Sequence, residues 1–493
     1  MGLNKYTSYS SGESIPLLRR EDGESGLSLF KTELYWIAKK SLPIVSTHLL
    51  HSTLQLITVY TGGHLNTIDL SALGIGNMIA SLSCWSITYG IVSALETFSS
   101  QSWTGSKDKT LLGIYLQRGI VILTILLIPV SILWWNCEIV LIWLGQDPEV
   151  SARVSIYLRY LLIGAPAYIY FDATKKYVQA QGIMHVSTIA IGISIPIYAV
   201  LNYVLVYVEP FKLGFIGIPI SISITYWLML SIMVCYIRFV EGYSAWGGFS
   251  LECFKGLGTF MRLALPSIFS IASEWWACNL SNIAVSYSGI ENIAAQYILV
   301  TLEKGLISIP MGIGTAGSNR IGNNLGEESA RRARFSYFAT MFLCATLGIA
   351  TSILVTLFKQ PISRFFTTDK DVDILLENTM GLIALAFILD STNVGCRFVI
   401  TGLGRQIVTA ISSTVAFYLF GMPICYYICV KLHKGVIGFW TLYIGVLSMV
   451  VLVNNLYLWI VDWNSETERV KIRVRKEESV IKSDTPNDPY GRD

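Results

Sequence analysis

Twelve stretches of this chain are each apolar for about twenty residues, the length a helix needs to cross a bilayer core of about 30 Å. They begin near Leu42, Leu70, Leu111, Val154, Val186, Ile216, Thr259, Asn292, Phe335, Ile374, Val408 and Gly435. Backbone in lipid has no water to bond to, so each span must close its own hydrogen bonds, and apolar runs this long do so as helices. The balance of residues agrees: 53% are hydrophobic and 14% charged, against about 25% charged in soluble domains. Prolines at 43, 166, 196, 266, 310 and 423 fall within spans. Neighbouring helices take up the carbonyls that proline frees, and bent helices suit a bundle that opens on alternate sides.

Basic residues set the expected orientation. Lys31, Lys39 and Lys40 precede the first span. Lys107 and Lys109 follow the second, Arg320, Arg331, Arg332 and Arg334 lie between the eighth and ninth, and Arg405 follows the tenth. The opposite loops are poorer in base, and the one around Glu138, Asp147 and Glu149 is acidic. Both termini are expected in the cytosol, which an even span count requires. The expected division is a disordered cytosolic tail over 1–32, a first lobe over 33–240, a cytosolic linker over 241–258, a second lobe over 259–462 and a basic, polar cytosolic tail over 463–493.

The two halves resemble each other. Leu42-Pro43 recurs as Leu265-Pro266, Ser100-Gln101 stands where Gly322-Asn323 does, and Gly214 to Gly217 matches Gly435 to Gly438, with offsets of 223, 222 and 221. Six spans per half make both halves enter the membrane from the same side. The predicted architecture is therefore all-α, with 12 transmembrane helices in two six-helix lobes related by a parallel repeat about the membrane normal. A cleft between two such lobes serves alternating access.

Some residues are costly where they stand. A carboxylate at the bilayer centre costs about 2.5–3.5 kcal/mol on insertion scales. Glu274 and Asp390 both lie mid-span with apolar flanks, in the seventh and tenth spans. Desolvation favours the neutral form of such acids, so they are candidates to carry a proton and release it when water or a cation arrives; the alternative role is interhelical hydrogen bonding. The repeat places His51 where the second lobe has Glu274. His51 reads first as a packing residue and second as a group titrating near pH 6.5. Asp172 is either a cavity residue or a partner of Lys175 or Lys176. Glu303 and Lys304 read as an internal pair or a gate, and Glu96 as interfacial. Trp275 offers either packing or a ring face for a cation.

Other chemistries lack their residues. No Gly-x-x-x-x-Gly-Lys-[Ser/Thr] loop is present, so an ion gradient is the expected energy source rather than ATP. The five histidines are scattered and the nine cysteines form no C-x-x-C pair. Cys425 and Cys429 share a helix face, and two thiols alone make a poor metal site. No enzyme activity, cofactor, metal or nucleic-acid partner is expected, and nothing demands more than a monomer in the bilayer.

From about Lys39 to Asn455 the chain resembles the multidrug and toxic compound extrusion family, in its eukaryotic, fungal-like branch. The resemblance rests on Ala94-Leu95-Glu96-Thr97 with Ser100-Gln101, and on Tyr177 to Gly182 preceded by Phe171-Asp172. It rests also on Leu263 to Pro266 with Glu274-Trp275-Trp276, on Pro310, Ala316, Arg320 to Asn323 and Leu325-Gly326, and on Gly402 to Gln406. Ser100 and Thr104 stand where the family commonly has glycine. The resemblance implies export of organic cations and related small amphiphiles, without catalysis, by antiport with protons or sodium; eukaryotic members mostly use protons. The family's essential second-lobe acids fall on Glu274 and Asp390. Some animal members have a further acid where this chain has Asn279. The rivals are a sodium-coupled antiporter and a flippase for lipid-linked substrates. Glu13 to Leu18 resembles an acidic dileucine signal for vacuolar delivery, which leaves the vacuole and the plasma membrane as destinations.

Overall fold

The computed structural model describes residues 25–65, 67–366 and 369–482. The dileucine-like stretch lies outside them. The described helices are α1 (Gly26–Gly63), α2 (Thr67–Ala80), α3 (Ser86–Gly105), α4 (Leu111–Trp135), α5 (Cys137–Trp143), α6 (Pro148–Ala180), α7 (Val186–Tyr207), α8 (Gly217–Phe239) and α9 (Leu257–Ser286). They continue with α10 (Ile290–Gly326), α11 (Ala330–Leu357), α12 (Lys359–Phe366), α13 (Lys370–Leu403), α14 (Gln406–Thr414), α15 (Met422–Tyr426), α16 (Gly435–Ile460) and α17 (Trp463–Lys482). Helices α2 and α3 form the second span, joined by a π-helical segment at Ser81–Trp85. Helices α14 and α15 form the eleventh, with π-helical segments at Val415–Gly421 and Tyr427–Lys431.

The helix ends follow from their residues. Asp147 caps α6 by accepting from the backbone N–H groups of Glu149 and Val150, with Pro148 in the first turn. Asp369 caps α13 in the same way, and Gly404 stops it at φ +75. Among the described residues, ten spans are long and apolar enough to cross a membrane. The two others, α1 and α9, open the two halves and have the length, but Ser, Thr, His, Glu and Asn dilute them. Neighbours take up some of those polar groups: Thr47 of α1 bonds Thr188 at 2.9 Å, and Ser273 of α9 bonds Thr414 at 2.9 Å.

Both halves pack alike. In the first lobe, Thr47 to Thr188 and Thr61 to Asn202 join its first and fifth spans. In the second, Ser273 to Thr414, Ser281 to Met422 and Ser288 to Cys429 do the same. Each of these bonds spans 141 residues. A short helix also follows the third span of each half, α5 in one and α12 in the other.

The lobes meet where α3 faces α9 and α10, and where α1 faces α10 and α11. Among the described residues, most hydrogen bonds between them lie at the end that carries α17. Thr97 donates to the Thr401 carbonyl at 2.6 Å, Gln101 to that of Gly402 at 2.9 Å and Thr104 to that of Asn323 at 2.6 Å. A Cβ on Gly322 would stand 2.0 Å from Ser100 Oγ, and one on Gly326 would stand 2.4 Å from the Gln101 carbonyl. Glycine there lets the two backbones touch.

Helical structure enters the stretch expected as a disordered tail over 1–32, and the basic, polar tail from 463 begins as a helix. Helix α1 starts at Gly26, and α17 is a helix because its bases alternate with acids around an apolar stripe. Trp463, Val470 and Val474 join the core of Ile321, Leu325, Val399 and Ile400 in the second lobe. The polar side reaches the first lobe, where Arg473 donates to Gln101 at 2.8 Å, Ser106 donates to Glu478 at 2.5 Å, and Arg118 pairs with Glu477 at 3.1 Å. That last pair is 1% and 7% exposed. Removing one member of a buried pair costs about 3–5 kcal/mol because the other charge is stranded. Arg118→Met therefore lowers the thermal unfolding midpoint, and adding Glu477→Leu recovers most of the loss. A double-mutant cycle by scanning fluorimetry checks this, and additive losses would refute the pairing.

Candidate functional site

Each lobe carries a set of polar side chains within its spans. On the first-lobe side, α3 supplies Tyr89 and Glu96, α6 supplies Asp172, Lys175 and Lys176, and α1 supplies His48 and His51. Glu96 is 1% exposed and accepts from Lys176 at 2.6 Å. The span continues past it, and α6 packs against it with an ammonium. Asp172 pairs with Lys175 one turn along the same helix. His51 lies with its ring 5.7 Å from that of Tyr168 and within reach of the Asp172 charge.

On the second-lobe side, Glu274 of α9 accepts from Arg397 of α13 at 2.7 Å. Both side chains keep some exposure, 14% and 16%. Asp390 of α13 is 2% exposed and, among the described residues, forms no ion pair. The Tyr443 hydroxyl of α16 donates to it, 3.3 Å from either carboxylate oxygen. Glu303 of α10 is partly buried and feels the charge of Lys304, though among the described residues the two make no ion-pair contact. Glu274, Glu303 and Asp390 are close enough for their charges to act on one another. A crevice lined by Cys278, Ser281, Phe417, Met422 and Tyr443 adjoins the Asp390 partner.

The remaining candidates divide. Trp275 faces the first lobe, its ring 5.9 Å from that of Tyr89. Trp276 also reaches the first lobe, donating to the Leu82 carbonyl at 3.2 Å. The Asn279 amide turns back to the Trp275 carbonyl of its own helix at 2.8 Å. Cys425 and Cys429 are buried neighbours with sulfurs 3.9 Å apart. The structure thus gathers Glu274, Glu303 and Asp390 on one lobe, and Asp172 with His51 on the other.

Sequence reading passed over Arg397. The signal was present, because a base inside an apolar span is as costly as an acid, and Arg397 stands seven residues after Asp390 on the same helix face. It passed over Glu33 too. That side chain is fully buried and held by Arg320 through two bonds of 2.6 and 2.8 Å, with the Ser336 hydroxyl donating at 2.8 Å. The three acids Glu96, Asp172 and Glu274 each form an ion pair with one base, while among the described residues Asp390 and Glu303 form none. Such an arrangement can hold cations and exchange protons, and its parts straddle the cleft between the lobes.

Comparison with known proteins follows the same lines. The profile of the family described as MatE matches twice, over residues 43–204 and 266–427. The matches start 223 residues apart, one to each lobe. An uncharacterised transporter of Schizosaccharomyces pombe is 32% identical over 94% of this chain and 87% of its own length. Multidrug and toxin extrusion protein 1 of Xenopus tropicalis is 29% identical over 87% of this chain and 75% of its own length. The crystal structure of the eukaryotic MATE transporter AtDTX14 superposes with a TM-score of 0.83 at 26% identity, covering 91% of this chain and 100% of that one.

Proposed function

We propose, from the premise that this chain belongs to the multidrug and toxic compound extrusion family of secondary transporters, that it exports organic cations from the cytosol in exchange for protons. The observation that carries this reading is the second-lobe acid group. Asp390 is buried with a tyrosine hydroxyl as its donor and, among the described residues, no ion pair, so it is a carboxyl that can take and give a proton. Glu274 sits within reach of its charge, at the part-exposed edge of the same lobe.

In the proposed cycle the proton and the substrate compete for these acids. Protons load from the outer or luminal side, move the lobes and are lost to the cytosol, where substrate replaces them. The contacts at the α17 end close that side, so the arrangement described corresponds to the outward-facing half of the cycle if both termini are cytosolic, as the basic residues favour. Asp172 and His51 form a lesser polar cluster across the cleft. The working unit is a monomer of two lobes, and the domain limits are those set by the repeat. Its membrane is the vacuole or the plasma membrane; imaging a Leu17→Ala/Leu18→Ala variant decides whether the dileucine-like stretch directs it.

The test is a substrate-induced pH change in sealed vesicles holding the purified protein, with a proton gradient imposed and a panel of organic cations added. The expected result is gradient collapse with at least one organic cation and none without protein. Transport that follows a sodium gradient and ignores a proton gradient would replace protons with sodium in this reading.

A further inference from the structure

The ion pairs of this protein are not built alike. Arg320 grips Glu33 with two nitrogens, the acid is fully buried, and the guanidinium lies over the Trp36 ring, 4.7 Å from its centroid. Arg405 likewise holds Glu466 through two nitrogens, at 2.5 and 3.1 Å. These are structural clamps, bidentate and directional. The pair at the cleft differs. Arg397 touches Glu274 through Nη1 alone, and among the described residues neither side chain makes another hydrogen bond. Both retain exposure, so each can be solvated when the contact opens.

Resting on the reading that Glu274 belongs to the substrate cavity, we propose that Arg397 is a tethered cation. It occupies the Glu274 carboxylate until a substrate cation displaces it, and so decides which cations the site accepts. An incoming cation must replace both a charge and a hydrogen bond. A small, strongly hydrated ion loses its water shell for a contact the guanidinium already satisfies. A bulky, weakly hydrated organic cation loses less water and gains the faces of Trp275 and Tyr89, whose rings lie 5.9 Å apart beside the pair. The displaced guanidinium stays on the face of α13 that carries Asp390, whose charge it already feels. The site therefore favours aromatic or quaternary organic cations over sodium.

Calorimetric titration of the purified protein with tetraphenylphosphonium at one fixed pH tests this. Arg397→Gln is expected to bind the probe about tenfold more tightly than the unmutated protein, the scale of losing a half-solvated competitor. Arg397→Lys, which keeps the charge but not the reach, is expected to bind a few-fold more tightly, about a factor of three. It serves alone should the glutamine variant not fold. Sodium is expected to compete with the probe in Arg397→Gln and not in the unmutated protein. Equal or weaker probe binding in the Arg397 variants, with binding lost in Glu274→Gln, would overturn the tethered cation and leave the proposed function standing. Full binding in Glu274→Gln would remove the premise for both.

Discussion

Glu274→Gln lowers proton-driven efflux of organic cations by about a hundredfold while leaving the protein folded. The substitution keeps the shape and removes the charge and the titrating proton. It strands Arg397, which then faces a neutral amide at the cleft. Loss of the charge that holds the substrate cation and of the exchanged proton, together worth about 2–3 kcal/mol, should lower transport at limiting substrate by about a hundredfold. Folding should survive, because the two side chains are part-exposed and Arg397 can turn to water. The vesicle assay run beside the unmutated protein reads this directly. Asp390→Asn, which keeps the Tyr443 hydrogen bond to a neutral group, should uncouple transport from protons to a similar degree. Full gradient-driven transport in both variants would end the proposal that these acids carry the exchange.

The second large effect is conformational. The end of the cleft beside α17 is sealed by backbone contact, and Gly326 makes it possible. A Cβ there would stand 2.2 Å from Thr104 Oγ1 and 2.4 Å from the Gln101 carbonyl oxygen. Backbone does not yield as a side chain does, so Gly326→Leu forces the lobes apart at that end. Overpacking costs about 1–3 kcal/mol or more, enough to move a two-state equilibrium by about tenfold to a hundredfold. The variant should be expressed and folded but held open on the α17 side, with transport reduced at least about tenfold. Spin labels at positions 107 and 327, one on each lobe in a cysteine-free background, should move apart relative to the unmutated sequence. An unchanged distance with intact transport would show that this contact is not the seal.

Much of the architecture was legible because the bilayer imposes a length. Apolar runs of about twenty residues mark spans whatever their neighbours, and eleven of the expected starts fall within six residues of the observed helix starts. The first is the exception, since α1 runs back to Gly26 through Lys31, Lys39 and Lys40. Its early turns lie against α10 and α11 at the α17 end, where charge is tolerated. The π-helical segments in the second and eleventh spans left no such trace. They change the hydrogen-bond register without changing composition. Helix α17 also escaped, because its many charges outweigh a stripe of Val470 and Val474 that means little until the second lobe is there to receive it.

For the site, the sequence by itself determined depth and cost. Glu274 and Asp390 stood out as acids that lipid penalises, and the repeat tied each half to the same packing. Only the tertiary structure decided who meets whom. Glu33 finds Arg320 across 287 residues, Glu96 finds Lys176 across 80, and Glu274 finds Arg397 across 123. A sequence states how far along a helix a charge lies and on which face. The partner depends on how neighbouring helices rotate and tilt as their side chains interlock, and that is set by packing over the whole bundle.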